Sequence, residues 1–425
     1  MKIGFYIQFY TDSTVDLTSV DKGNLGFGGT QFCFSYLIYN LSRFYTDIEI
    51  IVYSDTRLIL PRNCVGRVVG LNTLLQMAKD DQVRILILKT PFDLEFYSSL
   101  AEKFGVDLIC WSHNYFNANV AEAISRCSQV KAVVFVSKQM YDFYYDNDII
   151  HKATFIYNAI PNRSEPMRVD YKPYTAVYMG SIIRQKGIIE LMKIWTIVEK
   201  KYPQAELQII GSGKLYDKKT KLGKFNIADE GLEKDLESYI CTPEGELKSN
   251  IHFLGLMGEE KYDVFSRSAV GIVNPSANTE TFGMGIIEMA SVGLPVVTRG
   301  WNGHLDTVIN KKTGLTAYSI RGMAKQVMRL FKDDRLNRNL GQEAKKRMSL
   351  FSAEKITAQW YSLLCNIASN SIAHRQLPLS KPYWNNYKLI RGVVYFFRQK
   401  LGLRFVPSVV DVETYANNML KKLRK

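Results

Sequence analysis

The sequence contains no run of about 18 consecutive apolar residues, so no segment reads as a membrane-spanning helix. Its six cysteines, at positions 33, 64, 110, 127, 241 and 365, include no Cys-x-x-Cys pair. Several lie in apolar stretches, as buried thiols do, which points to a reducing compartment rather than a disulfide scaffold. The five histidines show no metal-ligand spacing, so no metal site is expected. No internal repeat and no low-complexity tract interrupts the chain, which excludes solenoid and disordered classes. The opening Met1-Lys2-Ile3-Gly4-Phe5-Tyr6-Ile7 lacks the long apolar core and cleavage site of a signal peptide and reads as a strand. Carboxylates are scarce at one end. Residues 371–425 hold eleven Lys/Arg against Asp411 and Glu413, so most of the net charge of +14 resides there.

What is present is an ordinary folded composition, 46% hydrophobic and 23% charged over 425 residues, enough for two domains. Strand-like and helix-like segments alternate almost from end to end, the pattern of an α/β protein with parallel sheets. Strands are predicted at residues 3–9, 48–53, 85–88, 107–111, 132–136 and 154–157, with helices between them such as 31–44 and 92–104. Residues 161–173, polar and proline-punctuated, read as a linker. The alternation then restarts, with strands at 176–179, 206–210, 251–254, 270–273, 295–298 and 315–317. Helices are predicted at 188–201, 322–331, 336–349 and 353–367. The division is 1–165, 166–352 and a helical, basic tail at 353–425. Two doubly wound domains would enclose a cleft at the carboxyl ends of their strands.

The most informative segment is Asn278-Thr279-Glu280-Thr281-Phe282-Gly283-Met284-Gly285-Ile286-Ile287-Glu288-Met289. A glycine turn follows an apolar strand and opens a predicted helix over 285–292, presenting backbone N–H groups to an anion such as phosphate. Glu280 on the loop suits sugar hydroxyls, and Glu288, in the helix, suits a ribose. The arrangement suggests a nucleotide-sugar site.

Other loops after strands carry weaker signals. Gly28-Gly29-Thr30 either lets backbone approach a phosphate or sugar closely, or merely turns the chain, since the full dinucleotide fingerprint spacing is absent. Arg184 and Lys186 precede a helix, where two cations clamp a diphosphate or stand as solvated loop charges. Gly211 and Gly213 end another strand in a close-approach turn. His113 ends an apolar strand on the side of the expected cleft, where a lone histidine is also a common structural hydrogen-bonder. Asp146-Asn147-Asp148 fits a D-x-D metal pattern but reads as surface charge.

Together these positions resemble the retaining glycosyltransferases of family 4, which have the GT-B fold of two Rossmann-like domains facing a central cleft. The resemblance covers roughly residues 1–368. Its most specific part is the E-x7-E motif of Glu280 and Glu288 with the internal Thr281-Phe282-Gly283. Gly28-Gly29-Thr30, Gly180 to Gly187, Ile209 to Gly213, and Gly303-His304-Leu305-Asp306 support it. The resemblance implies that Glu280 binds donor-sugar hydroxyls, that amides around Phe282, Gly283 and Met284 hold the diphosphate, and that Glu288 binds the ribose. Arg184 and Lys186 would neutralise the leaving nucleotide, His113 would approach the transferred sugar, and the Gly28-Gly29 loop would complete the phosphate and acceptor side. The family commonly has Gly-Arg where this chain has Gly180-Ser181, so one cation is missing from its usual place, and Arg184 is the candidate to replace it. Ala159 likewise replaces a common glycine after Asn158.

The reading is therefore a metal-independent hexosyltransferase, transferring from a nucleotide diphosphate sugar with retention to a glycan or lipid-linked acceptor in surface polysaccharide or glycolipid synthesis. No cofactor beyond that co-substrate is expected. A nucleotide-sugar epimerase of the same architecture is the alternative within enzymes. Nucleic-acid binding, suggested by the isoelectric point near 9.3, is disfavoured because the basicity is confined to the tail. In that tail, residues 386–401 place Ile390, Val393, Val394, Phe397 and Leu401 on one helical stripe, with Lys388, Arg391 and Arg398 to one side. Residues 381–425 either dock on an anionic membrane surface or pack on the first domain. The expected location is cytoplasmic, or peripheral on the inner face of the cytoplasmic membrane.

Overall fold

A computed structural model describes every residue except 25–27, 91–95, 97–100, 162–167, 169, 215–219, 372–375 and 424–425. The helix expected over 92–104 lies largely outside the described residues, which show only its end, Ala101–Phe104. Most of the linker expected at 161–173 lies outside them too. The chain forms two compact units. One comprises Met1–Asp21, Thr30–Ala159 and Ala353–Lys425; the other comprises Lys22–Gly29 and Ile160–Ser352.

The first unit is built on a seven-stranded sheet of β1 (Lys2–Ile7), β2 (Glu49–Ser54), β3 (Cys64–Val68), β4 (Ile85–Lys89), β5 (Asp107–Ser112), β6 (Val130–Phe135) and β7 (Ala153–Phe155). Their order in space is β3-β2-β1-β4-β5-β6-β7, all pairs parallel. The central strands read as continuous apolar runs because helices cover both faces of a parallel sheet. Strand β3 was not expected. Four of its five residues are exposed and its sequence, Cys-Val-Gly-Arg-Val, has neither an apolar run nor a buried alternation.

The second unit repeats the plan with β8 (Thr175–Met179), β9 (Glu206–Ile210), β10 (Ile251–Gly255), β11 (Val270–Ile272), β12 (Val296–Arg299) and β13 (Gly314–Ala317). Their order, β10-β9-β8-β11-β12-β13, is again wholly parallel. The helix Ile188–Lys201 shows why the plan closes. Ile188, Leu191, Met192, Trp195 and Val198 recur at helical spacing and are all buried, each large side chain contributing about 1.5–3 kcal/mol of burial. In both sheets the order reverses beside the first strand, at β1/β4 and at β8/β11. Ligands of doubly wound folds bind outside the carboxyl ends of strands at such a reversal.

The tail corrects two sequence readings. Its helix, Lys388–Tyr395, continues as a π-helical turn, Phe396–Lys400, and a further helix, Val409–Leu423, follows. Lys388, Arg391 and Arg398 do not flank an apolar stripe at the surface; they are the buried side of the helix. Their partners are the residues read as surface charge. Arg391 reaches Asp146 at 3.3 Å and Glu413 at 3.1 Å, Arg398 reaches Asp148 at 3.0 Å, and Lys388 reaches Asp142 at 3.0 Å. Asp146 also accepts from the Val409 amide at 2.6 Å, and Asn147 donates to Ser408 at 3.2 Å. Buried charges need such partners, because an unpaired one costs several kcal/mol. Among the described residues no helix is long and apolar enough to cross a membrane.

Candidate functional site

In the second unit the register Ala176↔Val270 to Tyr178↔Ile272 sets the ends of β8 and β11 side by side. The loop after β8 carries Lys186 and the loop after β11 carries Glu280. Lys186 Nζ lies 3.1 Å from Glu280 Oε2, and Asn274 Nδ2 donates to the same oxygen at 3.0 Å. Both hydrogen bonds fall on Oε2, so Oε1 is the oxygen left for a further donor. Burial alone would raise the Glu280 pKa, but the Lys186 charge, the adjoining His304 ring once acid protonates it, and the hydrogen bonds from Asn274 and Lys186 outweigh it and hold it at about 2. Glu280 is thus an acceptor at neutral pH and holds no proton to give.

His304 backs this carboxylate. Thr298 Oγ1 donates to the Val273 carbonyl at 2.8 Å, so the imidazole Nδ1–H is left to donate to Thr298 Oγ1 at 2.8 Å, with the Arg299 carbonyl at 3.2 Å. Burial keeps the ring neutral, and its Nε2 is buried without a hydrogen-bond partner among the described residues. The sequence reading placed His304 in a supporting motif and assigned it no role.

The turn between the two carboxylates has the backbone the glycine pattern demands. Gly283 sits at φ +92° and opens the helix Met284–Ser291, with Thr281 and Phe282 buried on its approach. The Phe282 ring meets Phe351 edge-on at 5.6 Å, which fixes the turn from beneath. Amides of a first helical turn lack intrahelical acceptors and carry the positive end of the helix dipole, so this turn favours an anion. One turn on, Glu288 is paired with Lys261 Nζ at 2.6 Å. Lys261, buried at the start of the helix Lys261–Arg267, was missed, because one lysine in a Glu-Glu-Lys run carries no distinguishing signal.

Other candidates fall in different places. Arg184 does not join Lys186; its guanidinium pairs with Asp235 on the helix Glu230–Ile240 and with the Gly231 carbonyl at 3.5 Å. The side chain at the position where a cation was missed, Ser181, is buried and donates to the Ser212 carbonyl at 3.3 Å. Gly211, at φ +149°, lies so near the first loop that a Cβ there would stand 1.9 Å from the Gly180 carbonyl oxygen. A Cβ on Gly213 would meet the Ala228 backbone at 2.8 Å. Gly28 groups with the second unit; Gly29 opens the helix Gly29–Phe44, and a Cβ there would meet only open space. His113, in the first unit beyond β5, is buried against Trp111 (ring centroids 4.8 Å apart) and Phe34 (5.9 Å). Burial, and then the charge of Lys89, lower its pKa to about 3, so it is a neutral imidazole.

Comparison with known proteins bears on this geometry. Solved structures of similar fold include sucrose-phosphate synthase from Thermosynechococcus elongatus (TM-score 0.64, 16% identity, covering 87% of this chain and 100% of that one). Anabaena HepE in complex with UDP-glucose gives a TM-score of 0.61 at 15% identity, over 86% of this chain and 100% of that one. The fold is GT-B. Residues 161–347 match the family model of "Glycosyl transferases group 1". A poly(glycerol-phosphate) alpha-glucosyltransferase of Bacillus subtilis is 23% identical over 311 residues, 71% of this chain and 42% of the relative. The capsular polysaccharide biosynthesis glycosyltransferase CapM of Staphylococcus aureus is 26% identical over 189 residues, 44% of each chain. This chain thus spans less than half the length of either relative. The family match and the relatives support a GT-B glycosyltransferase.

Proposed function

We propose that this chain is a retaining hexosyltransferase that uses a nucleoside diphosphate sugar and passes the sugar to a glycan or lipid-linked acceptor of a cell-surface polymer. The observation that carries the reading is the Lys186–Glu280 pair at the β8/β11 reversal, beside the helix that opens at Gly283. The B. subtilis and S. aureus relatives, by their names, act in glucosyl transfer to poly(glycerol phosphate) and in capsule synthesis, which supports a hexose and a surface polymer. The HepE complex supports a UDP-sugar as the first donor to try.

In this reading Glu280 Oε1 accepts a sugar hydroxyl, Glu288 accepts from the ribose, and the amides around Phe282–Met284 receive the diphosphate. The bond between the anomeric carbon and the phosphate oxygen breaks, and its electron pair stays on the diphosphate. The acceptor oxygen bonds to the same face of the sugar, and its proton passes to the departing phosphate. Lys186 and the helix start stabilise the growing negative charge, so no metal is required. Glu280 is not the nucleophile. His113, neutral, serves as a hydrogen-bonding neighbour of the sugar, and the Gly28-Gly29 loop serves the phosphate and acceptor side. Arg184 reaches the phosphate only by leaving Asp235. The site works on the cytoplasmic side of the membrane, where nucleotide sugars are made.

A thermal-shift screen against UDP-, GDP-, ADP- and TDP-hexoses in EDTA tests this directly. Stabilisation by one donor, lost in Glu280→Ala, is expected, with an unchanged anomeric configuration in the transferred product. A chain that none of these donors stabilises, or an inverted product, overturns the reading.

A further inference from the structure

A helix on a protein surface ordinarily buries its apolar stripe and exposes its charges. The tail helix does the reverse. Lys388 and Arg391 are fully buried, whereas Leu389, Ile390, Val393, Phe396, Phe397 and Leu401 are each between 40% and 64% exposed. The spacing makes this a property of faces. Residues 388, 391 and 398 recur at three to seven on the inner side, and 389, 390, 393, 396, 397 and 401 share the outer one. The inner side is fixed by ion pairs: Lys388 to Asp142, Arg391 to Asp146 and Glu413, and Arg398 to Asp148. Turning the helix to hide its apolar face would strip three buried cations of their partners, at a cost of several kcal/mol each. The outward orientation is therefore locked.

Among the described residues of the tail, the exposed charged side chains have one sign. Lys381, Lys400, Arg404, Lys421 and Lys422 are exposed. The tail's carboxylates turn inward: Glu413 holds Arg391, and Asp411 accepts from the Ser408 amide at 2.7 Å and hydroxyl at 2.8 Å. Phe405, 82% exposed, projects beside Arg404, and Tyr383, Trp384 and Tyr387 expose aromatic rings at the start of the helix. Exposed apolar side chains on a tail whose exposed charges are all cationic, together with interfacial aromatics, match a bilayer with acidic headgroups. A second copy of this chain fits poorly, because a two-fold contact would oppose the same cations with no exposed tail carboxylate between them.

We infer that the outer face of Lys388–Lys400, with Phe405 and the exposed cations of the tail, seats this chain on an anionic phospholipid bilayer. This surface is independent of the donor site, so the two readings fail separately. The test is flotation of the full chain with vesicles of phosphatidylcholine alone or with 30% phosphatidylglycerol (about one charge in three lipids, enough for an attractive surface potential). The chain should float with the acidic vesicles, less so at 1 M salt and not with the neutral ones. Ile390→Asp with Val393→Asp and Phe397→Asp should abolish flotation while leaving the melting temperature and donor stabilisation as they were, since all three side chains already face outward. Lys400→Glu with Arg404→Glu should weaken vesicle affinity roughly fivefold or more per charge. Equal recovery of the wild-type chain with and without acidic vesicles overturns the inference. So does a triple variant that still floats, and so does a wild-type dimer in light scattering that the triple variant dissolves without any vesicle binding.

Discussion

Two carboxylate–cation clusters in this molecule use the same residue types to opposite ends. In the tail, Arg391 serves both Asp146 and Glu413, and both oxygens of Asp146 are engaged, Oδ1 by Arg391 and Oδ2 by the Val409 amide. Burial pushes both carboxyls above their ordinary range, against the pull of Arg391, as expected when two acids share one cation in a dry site. At the proposed donor site, Glu280 is held near 2 and, among the described residues, both of its hydrogen bonds fall on one oxygen. Desolvation wins in the first cluster and cations win in the second. A saturated cluster fixes structure; an unsaturated one, poised in its charged form, is available to a ligand.

Breaking the saturated cluster should show the largest effect. Arg391→Met leaves Asp146 buried without its cation and should cost about 3–5 kcal/mol in urea denaturation, with donor stabilisation surviving in whatever remains folded. If the loss is below 1 kcal/mol, the tail cluster is not what orients the helix. Breaking the unsaturated cluster should leave the fold intact and damage chemistry. Glu280→Ala should lower kcat by roughly 10²–10³, the size seen when a group acting on the transition state is removed, in a chain that still unfolds cooperatively in urea. Near-normal turnover in that variant would remove Glu280 from its role.

A third variant sharpens the comparison, because Lys261–Glu288 lies between the two extremes. Lys261→Met should raise the donor KM by about tenfold with kcat nearly unchanged, as for a residue that positions a ground-state contact. A fall in kcat at constant KM would place Lys261 in the reacting region instead. The smallest effect concerns acid. The Glu280 carboxyl is lowered in the folded chain, from 4.5 to about 2, so its stabilising contribution is fully present above pH 4.5 and disappears as pH falls toward 2. The stability gap between the wild type and Glu280→Gln should therefore shrink across that window in pH-dependent melts. A gap that widens below pH 4.5 contradicts the sign.

The alternation of strands was legible in the sequence because parallel sheets are buried on both faces, and twelve of the thirteen strands of the two large sheets stand out, β1, β2 and β4 to β13. Of these only β7 blurred, running short; β3 vanished, being an exposed edge. The glycine turn at Gly283 and the carboxylates on either side of it were legible too, since positive φ and helix-start chemistry leave local marks. Pairings were not. Lys186 and Glu280 are 94 positions apart, and Arg391 and Asp146 are 245 apart. Periodicity assigns a residue to a face but says nothing of what the face meets, and that is why Asp146 was put at the surface and Arg391 only to one side of an apolar stripe. The same blindness hid Lys261 and made Arg184 and Lys186 look like partners.

The near-contact of Gly211 with the Gly180 carbonyl has a practical consequence for anyone who would change the specificity of the proposed donor site. The ends of β8 and β9 are welded at a point where not even a methyl group fits, so those two positions form a seam that a randomised library should leave untouched. Diversity belongs on side chains flanking the seam, at Ser212 and Met284, where a new group alters the lining of the loop cluster without prising its backbones apart.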